Sequence, residues 1–276
     1  LEELHEMITQ VKQARNKFTG ATNFIYRCWT VKLSDAGSIN KLLLLVENYC
    51  FLLSLLGFSV LSSLSWATDR YVAPTGNDAN SGSIDSPMLT IQAAINAASA
   101  GDVIKVQPGT YKETVIVNKQ LTIIGAGKGS NPAANTVLTP ASACTGIGFT
   151  ISAANVTVQN MHVANYEVAV LLNGAVSPTL QEMALIDYCQ HGINLTGTNS
   201  NVTITKTDIQ RTSLMASTIG IRVVTTNAVN GMLIDNCTIS GNTQGMLVTQ
   251  STTPVAFDNI IIQNSNISNN TQKGLY

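Results

Sequence analysis

VTITKTDI, residues Val202 to Ile209, decides how this chain folds. Apolar Val202 and Ile204 alternate with Thr203 and Thr205, the period-two pattern of a strand with one face turned inward. The alternation then breaks, and the inward set resumes beyond Lys206 at Thr207 and Ile209. A straight strand cannot do this, because successive side chains take opposite faces. A strand that turns a corner can, since one extra residue at the bend resets which side points in.

The same eight-residue figure recurs without internal gaps. VTVQNMHV (Val156 to Val163), PTLQEMAL (Pro178 to Leu185), MLIDNCTI (Met232 to Ile239) and IIIQNSNI (Ile260 to Ile267) align with it, and the last residues of successive segments are 22, 24, 30 and 28 positions apart. The bend position holds Asn160, Glu182, Lys206, Asn236 and Asn264. Asparagine suits a bend because it tolerates left-handed backbone and bonds neighbouring amides. A glycine opens a further alternating strand at Gly192, Gly220, Gly245 and Gly274. Short bent strands repeating at this period make the coils of a parallel β-helix. A β-sandwich of short strands would have no need to keep one column register through every segment.

Upstream, TIQAAINAA places Ile91, Ala94, Ile95 and Ala98 on one helical face, with Thr90 as N-cap and Gly101-Asp102 as stop. A solenoid end exposes apolar core and unpaired backbone, so this short helix reads as a lid over the first coil. The expected fold class is therefore all-β, a parallel β-helix with a short N-terminal capping helix.

Composition narrows the function. Charged residues make up 11% of the 276, against about a quarter in an ordinary globular domain. Ser, Thr, Asn and Gln cover the surface instead. A net charge of -1 offers no basic face for nucleic acid. The apolar run from Leu42 to Ala67, preceded by Lys41 and ending in Ser65-Trp66-Ala67, reads as a secretory signal peptide over residues 41–67. Residues 1–40 then form an upstream extension outside the fold, and 68–276 the β-helix domain, exported to the periplasm, cell surface or medium with no stable membrane insertion. The chain stops at Gly274-Leu275-Tyr276, inside the start of another strand, which reads as truncation. Of the cysteines beyond the export segment, Cys144, Cys189 and Cys237 allow at most one bridge; three buried free thiols is the simpler expectation.

YVAPTGNDANSG from Tyr71, followed by SPMLTIQAAINAA, GDVIKVQPGTYKETV and LTIIGAG, resembles the opening of right-handed parallel β-helix proteins of the pectin-lyase-like superfamily, among them many secreted polysaccharide lyases. The resemblance is dense from Tyr71 to about Gly127 and continues through the repeats. It implies a right-handed coil and a polysaccharide partner, and is open as to chemistry, because the superfamily holds lyases, hydrolases, epimerases and non-enzymes. Its uronate-acting members imply calcium held by acidic residues, with a Lys or Arg taking the proton beside the uronate carboxylate.

Only ten acidic residues follow Tyr71. The densest chemistry lies in and around the third segment. Lys206 and Arg211 are the candidate bases. Glu182, Asp208 and Asp235 are the candidate substrate and calcium ligands, brought from adjacent coils by the shared columns. A solvated ion-pair patch is the competing reading, and no paired-Asp calcium signature occurs in the repeats. His162 and His191 read as solvated polar residues. The alternative to an enzyme is a non-catalytic surface, adhesion or carbohydrate-contacting solenoid.

Overall fold

The skipped residue in each segment is a left-handed residue. In the computed structural model, which describes residues 67–213, 215, 217–225, 229–250 and 257–276, φ is 58° at Asn160, 52° at Glu182, 50° at Lys206, 54° at Asn236 and 49° at Asn264. For an L-residue other than Gly, Asn or Asp this conformation costs about 1–2 kcal/mol. Three of these bends are fixed by an amide bonding across to the next coil: Glu182 N donates to Thr205 O at 3.0 Å, Lys206 N to Asp235 O at 3.0 Å, and Asn236 N to Gln263 O at 3.3 Å.

Between the bends the chain winds as stacked coils. β1 (Asp69–Val72) pairs in parallel with β2 (Val103–Val106), which opens the first coil and is followed by β3 (Gly109–Lys112) and β4 (Val115–Val117). The second coil comprises β5 (Thr122–Gly127), β6 (Thr136–Thr139) and β7 (Ile147–Ile151). In the third, β8 (Thr157–Ala164) runs through its bend and serves two faces before β9 (Val168–Asn173). Then come β10 (Thr179–Gln181), β11 (Ala184–Ile186) and β12 (His191–Thr196); β13 (Asn199–Thr205), β14 (Asp208–Gln210) and β15 (Ile219–Thr225); β16 (Val229–Asp235), β17 (Thr238–Ser240) and β18 (Gln244–Gln250); and β19 (Phe257–Gln263), β20 (Asn266–Ser268) and β21 (Lys273–Leu275). The first strands of successive coils stack as one face, the second strands as another, and the third strands as a separate sheet running from β4 to β21.

Like residues pile up as the columns require. On the first face Ile104, Ile123, Val158, Leu180, Ile204, Ile234 and Ile262 are successive register partners. On the second, Tyr111, Leu138, Val163, Leu185, Ile209, Ile239 and Ile267 do the same. Ile104 to Ile234 are fully buried. Each such side chain contributes about 1.5–3 kcal/mol as an upper estimate.

The helix α1 (Ile91–Ala97) seats Ile91, Ala94 and Ile95 on that same core, with Thr90 Oγ1 accepting from Ala93 N at 3.2 Å. Its open amides are bonded from a distant strand end: Glu113 accepts from Ile91 N at 2.8 Å and Gln92 N at 2.9 Å. Asp102 takes the amides of Thr68 and Ser99, at 2.9 and 2.8 Å, and an ion pair from Arg70 at 3.5 Å.

One expectation changes. Cys144 and Cys189 form a disulfide with Cα atoms 5.4 Å apart, and among the described residues Cys237 alone is a free, buried thiol. The two half-cystines lie 45 residues apart in different coils, and the winding sets them side by side. The export segment up to Trp66 and the upstream extension lie outside the described residues.

Candidate functional site

The bend column and the outward column beside it line a polar groove. Register places Asp208 directly over Ala184, which lies over His162, while Thr238 follows Asp208. Along the bend, Glu182 and Lys206 belong to successive coils, and Lys206 Nζ lies 3.2 Å from Glu182 Oε1. A cavity of about 500 Å³ is bounded by these two residues with Asp208, Lys128, Asn160 and Asn236.

Lys128 was not found by column alignment. It stands just past β5 in the loop KGSNPAAN, which has no register to align. Its Nζ reaches Asp208 Oδ2 at 2.8 Å and the carbonyl of Lys206 at 3.1 Å. The small Ala184 between them leaves the path open. The carbonyl of Lys128 accepts at 3.2 Å from His162 Nδ1, which therefore carries the proton. His162 is only 8% exposed, so it is not the solvated residue the sequence suggests. Burial pushes its pKa down, against the Lys128 carbonyl and Asp187, and favours the neutral ring.

The groove is electrostatically closed on itself. Lys206 holds Glu182 below the ordinary carboxylate pKa, and Lys128 adds to the effect. Asp235 lies one coil on, and its Oδ1 accepts from Asn264 Nδ2 at 2.9 Å. Arg211 is not in the groove. It is buried, its guanidinium donating to the carbonyl of Tyr188 and its Nε to Ser213 O at 3.1 Å. A guanidinium so tied fastens the turn after β14 and offers nothing to a ligand at Lys206.

Calcium wants roughly six to eight oxygen ligands, several of them carboxylates. Glu182, Asp208 and Asp235 do not fit it. The first two are bonded to ammonium groups and the third to an amide, and no set of three His, Cys, Asp or Glu converges to hold a metal among the described residues.

A second polar cluster stands on the outward side of the β4-to-β21 sheet. His191 and Asn194 belong to β12, and Arg222 of β15 is the register partner of Asn194. The recurring glycines carried the signal, since Asn194 and Arg222 each lie two residues after one, at Gly192 and Gly220.

Comparisons with known proteins agree with the coil geometry. Residues 115–265 match the family described as right handed beta helix region. Pectate lyase PEL9 of Emericella nidulans is 41% identical over 68 residues, a quarter of this chain and 16% of that protein. The crystal structure of pectate lyase Pel9A superposes with a TM-score of 0.54 at 21% identity, covering 76% of this chain and 56% of that one. Pectin methylesterase PemA from Erwinia chrysanthemi gives 0.45 at 14% identity, over 72% of this chain and 67% of that one. The chain thus spans about a sixth of the curated relative and just over half of Pel9A. Coils in one register from Ile104 to Ile262, and a family match over most of them, make this chain a member of the right-handed β-helix family, with the pectin-lyase-like fold.

Proposed function

We propose that the chain handles an acidic polysaccharide outside the cytoplasm, through the groove at the bend. The observation that carries this reading is the pair of lysines there. Lys206 and Lys128 bring two ammonium groups to one open cavity, each held by a carboxylate that a uronate could replace. Cations that meet a sugar carboxylate also make the neighbouring C–H more acidic, which is what β-elimination needs. In a lyase-type reaction Lys206 would take that proton once released from Glu182, and Lys128 would face the carboxylate. Asp208 would position Lys128, and Asp235 would border the substrate path. The pectate lyases among the similar proteins support a uronate polymer as substrate. The disulfide supports an oxidising compartment, and no helix among the described residues is long and apolar enough to cross a membrane.

A non-catalytic glycan-contacting solenoid is the second reading. It is favoured by the ion pairing itself, which already occupies both ammonium groups with carboxylates of the chain. Uronate polymers incubated with the purified chain, in calcium and in chelator, decide between the two. Ultraviolet absorbance from unsaturated products, lost in Lys206→Ala, supports the lyase. Polymer retention without product supports the contacting surface, and neither result removes the groove from consideration as a glycan site unless retention also fails.

A further inference from the structure

The Cys144–Cys189 disulfide joins the second coil to the fourth, with a turn of the third coil between them. Cys144 lies between β6 and β7, and Cys189 between β11 and β12. Both amides bond the turn that leads from β8 to β9. Cys144 N donates to Asn165 O at 2.7 Å, and Cys189 N to Tyr166 O at 2.8 Å. The half-cystines therefore flank that turn, and the bridge closes across it.

What the bridge holds is a surface loop. Every residue from Ala141 to Gly146 is exposed, whereas Pro140 before the loop and Gly148 after it are buried. Among the described residues, two backbone hydrogen bonds tie the loop to the stack: the one from Cys144 N, and one from Val168 N to Gly146 O at 3.3 Å. Thr145 Oγ1 donates within the loop, to Ser142 O at 2.6 Å. A segment with so few bonds and buried contacts opens locally before the rest of a fold. The apolar core contains neither half-cystine, so cutting the bridge leaves the columns stacked. The two sulfurs also differ in access. Cys144 is exposed, while Cys189 is half-buried in a turn that bonds the preceding coil again through Gln190 N, 2.9 Å from Glu167 O. Thiol–disulfide exchange depends on which sulfur an incoming thiolate can reach, and access selects Cys144.

We propose that Cys144 is a thiol-modification site, and that its bridge to Cys189 is a redox-operated clasp on the 141–146 loop. A small thiolate, such as that of glutathione, attacks Cys144 Sγ. The bond between the two Sγ atoms breaks, and Cys189 leaves as a thiolate with the electron pair. Cys144 then carries a mixed disulfide. A second small thiolate attacks the external sulfur of that adduct, expels Cys144 as a thiolate and departs as the small-molecule disulfide. The net change is a two-electron reduction of the bridge and oxidation of two small thiols. In a thiol-poor medium the loop stays fastened. In a thiol-rich one it is released from the Asn165 turn while the coils persist. The proposal is independent of the groove and of any glycan.

Titration of the full chain with glutathione tests it. Every protein carries Cys28→Ser and Cys50→Ser, so that one bridge and one thiol remain. Samples are quenched at early times with iodoacetamide, and each cysteine is read by peptide mass mapping. The adduct is expected on Cys144 and alkylation on Cys189. Cys237, 3% exposed in the core, is expected to stay unlabelled and reports any unfolding of the coils. Hydrogen exchange at the amides of Cys144 and Val168 is expected to speed at least tenfold on reduction. Exchange in β13 to β17 should not change, and glutathione disulfide should restore protection. The double variant Cys144→Ser, Cys189→Ser is expected to exchange like the reduced protein and to ignore glutathione. A bridge that glutathione leaves intact in the folded protein overturns the proposal. So does an adduct found on Cys189 as often as on Cys144, or reduction with no adduct on Cys144. Labelling of Cys237 in step with bridge cleavage, or unchanged exchange at Cys144 and Val168, overturns it equally. If the double variant does not fold, reduction of the already folded protein decides alone.

Discussion

Lys128 and Asp208 are 80 residues apart in sequence, and the Nζ of one lies 2.8 Å from the Oδ2 of the other. The contact fastens the loop after β5 across the coil between them. Both side chains are more than a third exposed or close to it, at 39% and 33%, and such pairs contribute about 0–1 kcal/mol. The pair therefore matters for where it holds a charge more than for stability. Lys128→Met is expected to shift the unfolding free energy by less than about 1 kcal/mol while lowering retention of uronate polymer several-fold. Denaturant melts alongside polymer retention give both numbers, and a large loss of stability with unchanged retention would reverse the assignment.

Lys206 is both a bend residue at φ 50° and the cation of the groove. The two roles separate by substitution. Asparagine visits the left-handed region at lower cost than lysine, and the column already uses it at Asn160, Asn236 and Asn264. Lys206→Asn should leave stability unchanged or raise it by up to about 1 kcal/mol, while removing polymer turnover and weakening retention. A melting temperature lowered as far as by a core truncation would mean that the bend depends on the ion pair after all.

Gly192 occupies a position where the coil has no room for a side chain. A Cβ there would lie 2.5 Å from Ile209 Cγ2 and 2.6 Å from the backbone oxygen of Gly220. Gly220 and Gly245 face the same arrangement one and two coils later, against Ile239 and Ile267. Gly192→Ala should therefore destabilise by about 1–3 kcal/mol through overpacking. Ile209→Ala alone removes a fully buried side chain and costs about 2–5 kcal/mol, so the pair is read as a double-mutant cycle. The two losses should be less than additive by only part of the Gly192→Ala cost, because the Gly220 oxygen belongs to the backbone and cannot turn away. A coupling energy equal to the whole Gly192→Ala loss would show that the side-chain clash alone matters.

The architecture was legible because a coil repeats its physics. The apolar columns, the residue skipped at Asn160 through Asn264 and the glycines before the third-sheet strands each recur at one place per turn, so five weak signals add. The helix face at Ile91, Ala94 and Ile95 was legible for the same reason, as a periodic pattern. What recurs nowhere was not legible. Lys128 reaches the groove from a loop without register, Glu113 bonds the helix amides from a strand end, and Cys144 meets Cys189 only because the winding brings one coil past another. Arg211 shows the converse error. Proximity in sequence to Lys206 and Asp208 suggested a shared site, but the turn after β14 carries its guanidinium inward to the Tyr188 carbonyl.

Asp102 gives the fold an acid-sensitive fastening between the helical lid and the first coil. The side chain is 2% exposed. Burial by itself raises its pKa, but the amides of Thr68 and Ser99 together with Arg70 outweigh that and hold it below the ordinary 3.8. A carboxyl whose folded pKa is depressed contributes stability that is fully present above its unfolded value and is lost as pH falls through the folded one. The contribution should therefore be whole at neutral pH, begin to decline near the ordinary value and vanish below it. Asp102→Asn keeps one oxygen for one amide but no charge for Arg70, and should cost about 1–3 kcal/mol at pH 7. Urea melts of both proteins from pH 7 down to the acid limb are expected to converge as Asp102 protonates. Curves that stay parallel over that range would mean that the lid is fastened by packing of Ile91 and Ile95 and not by this carboxylate.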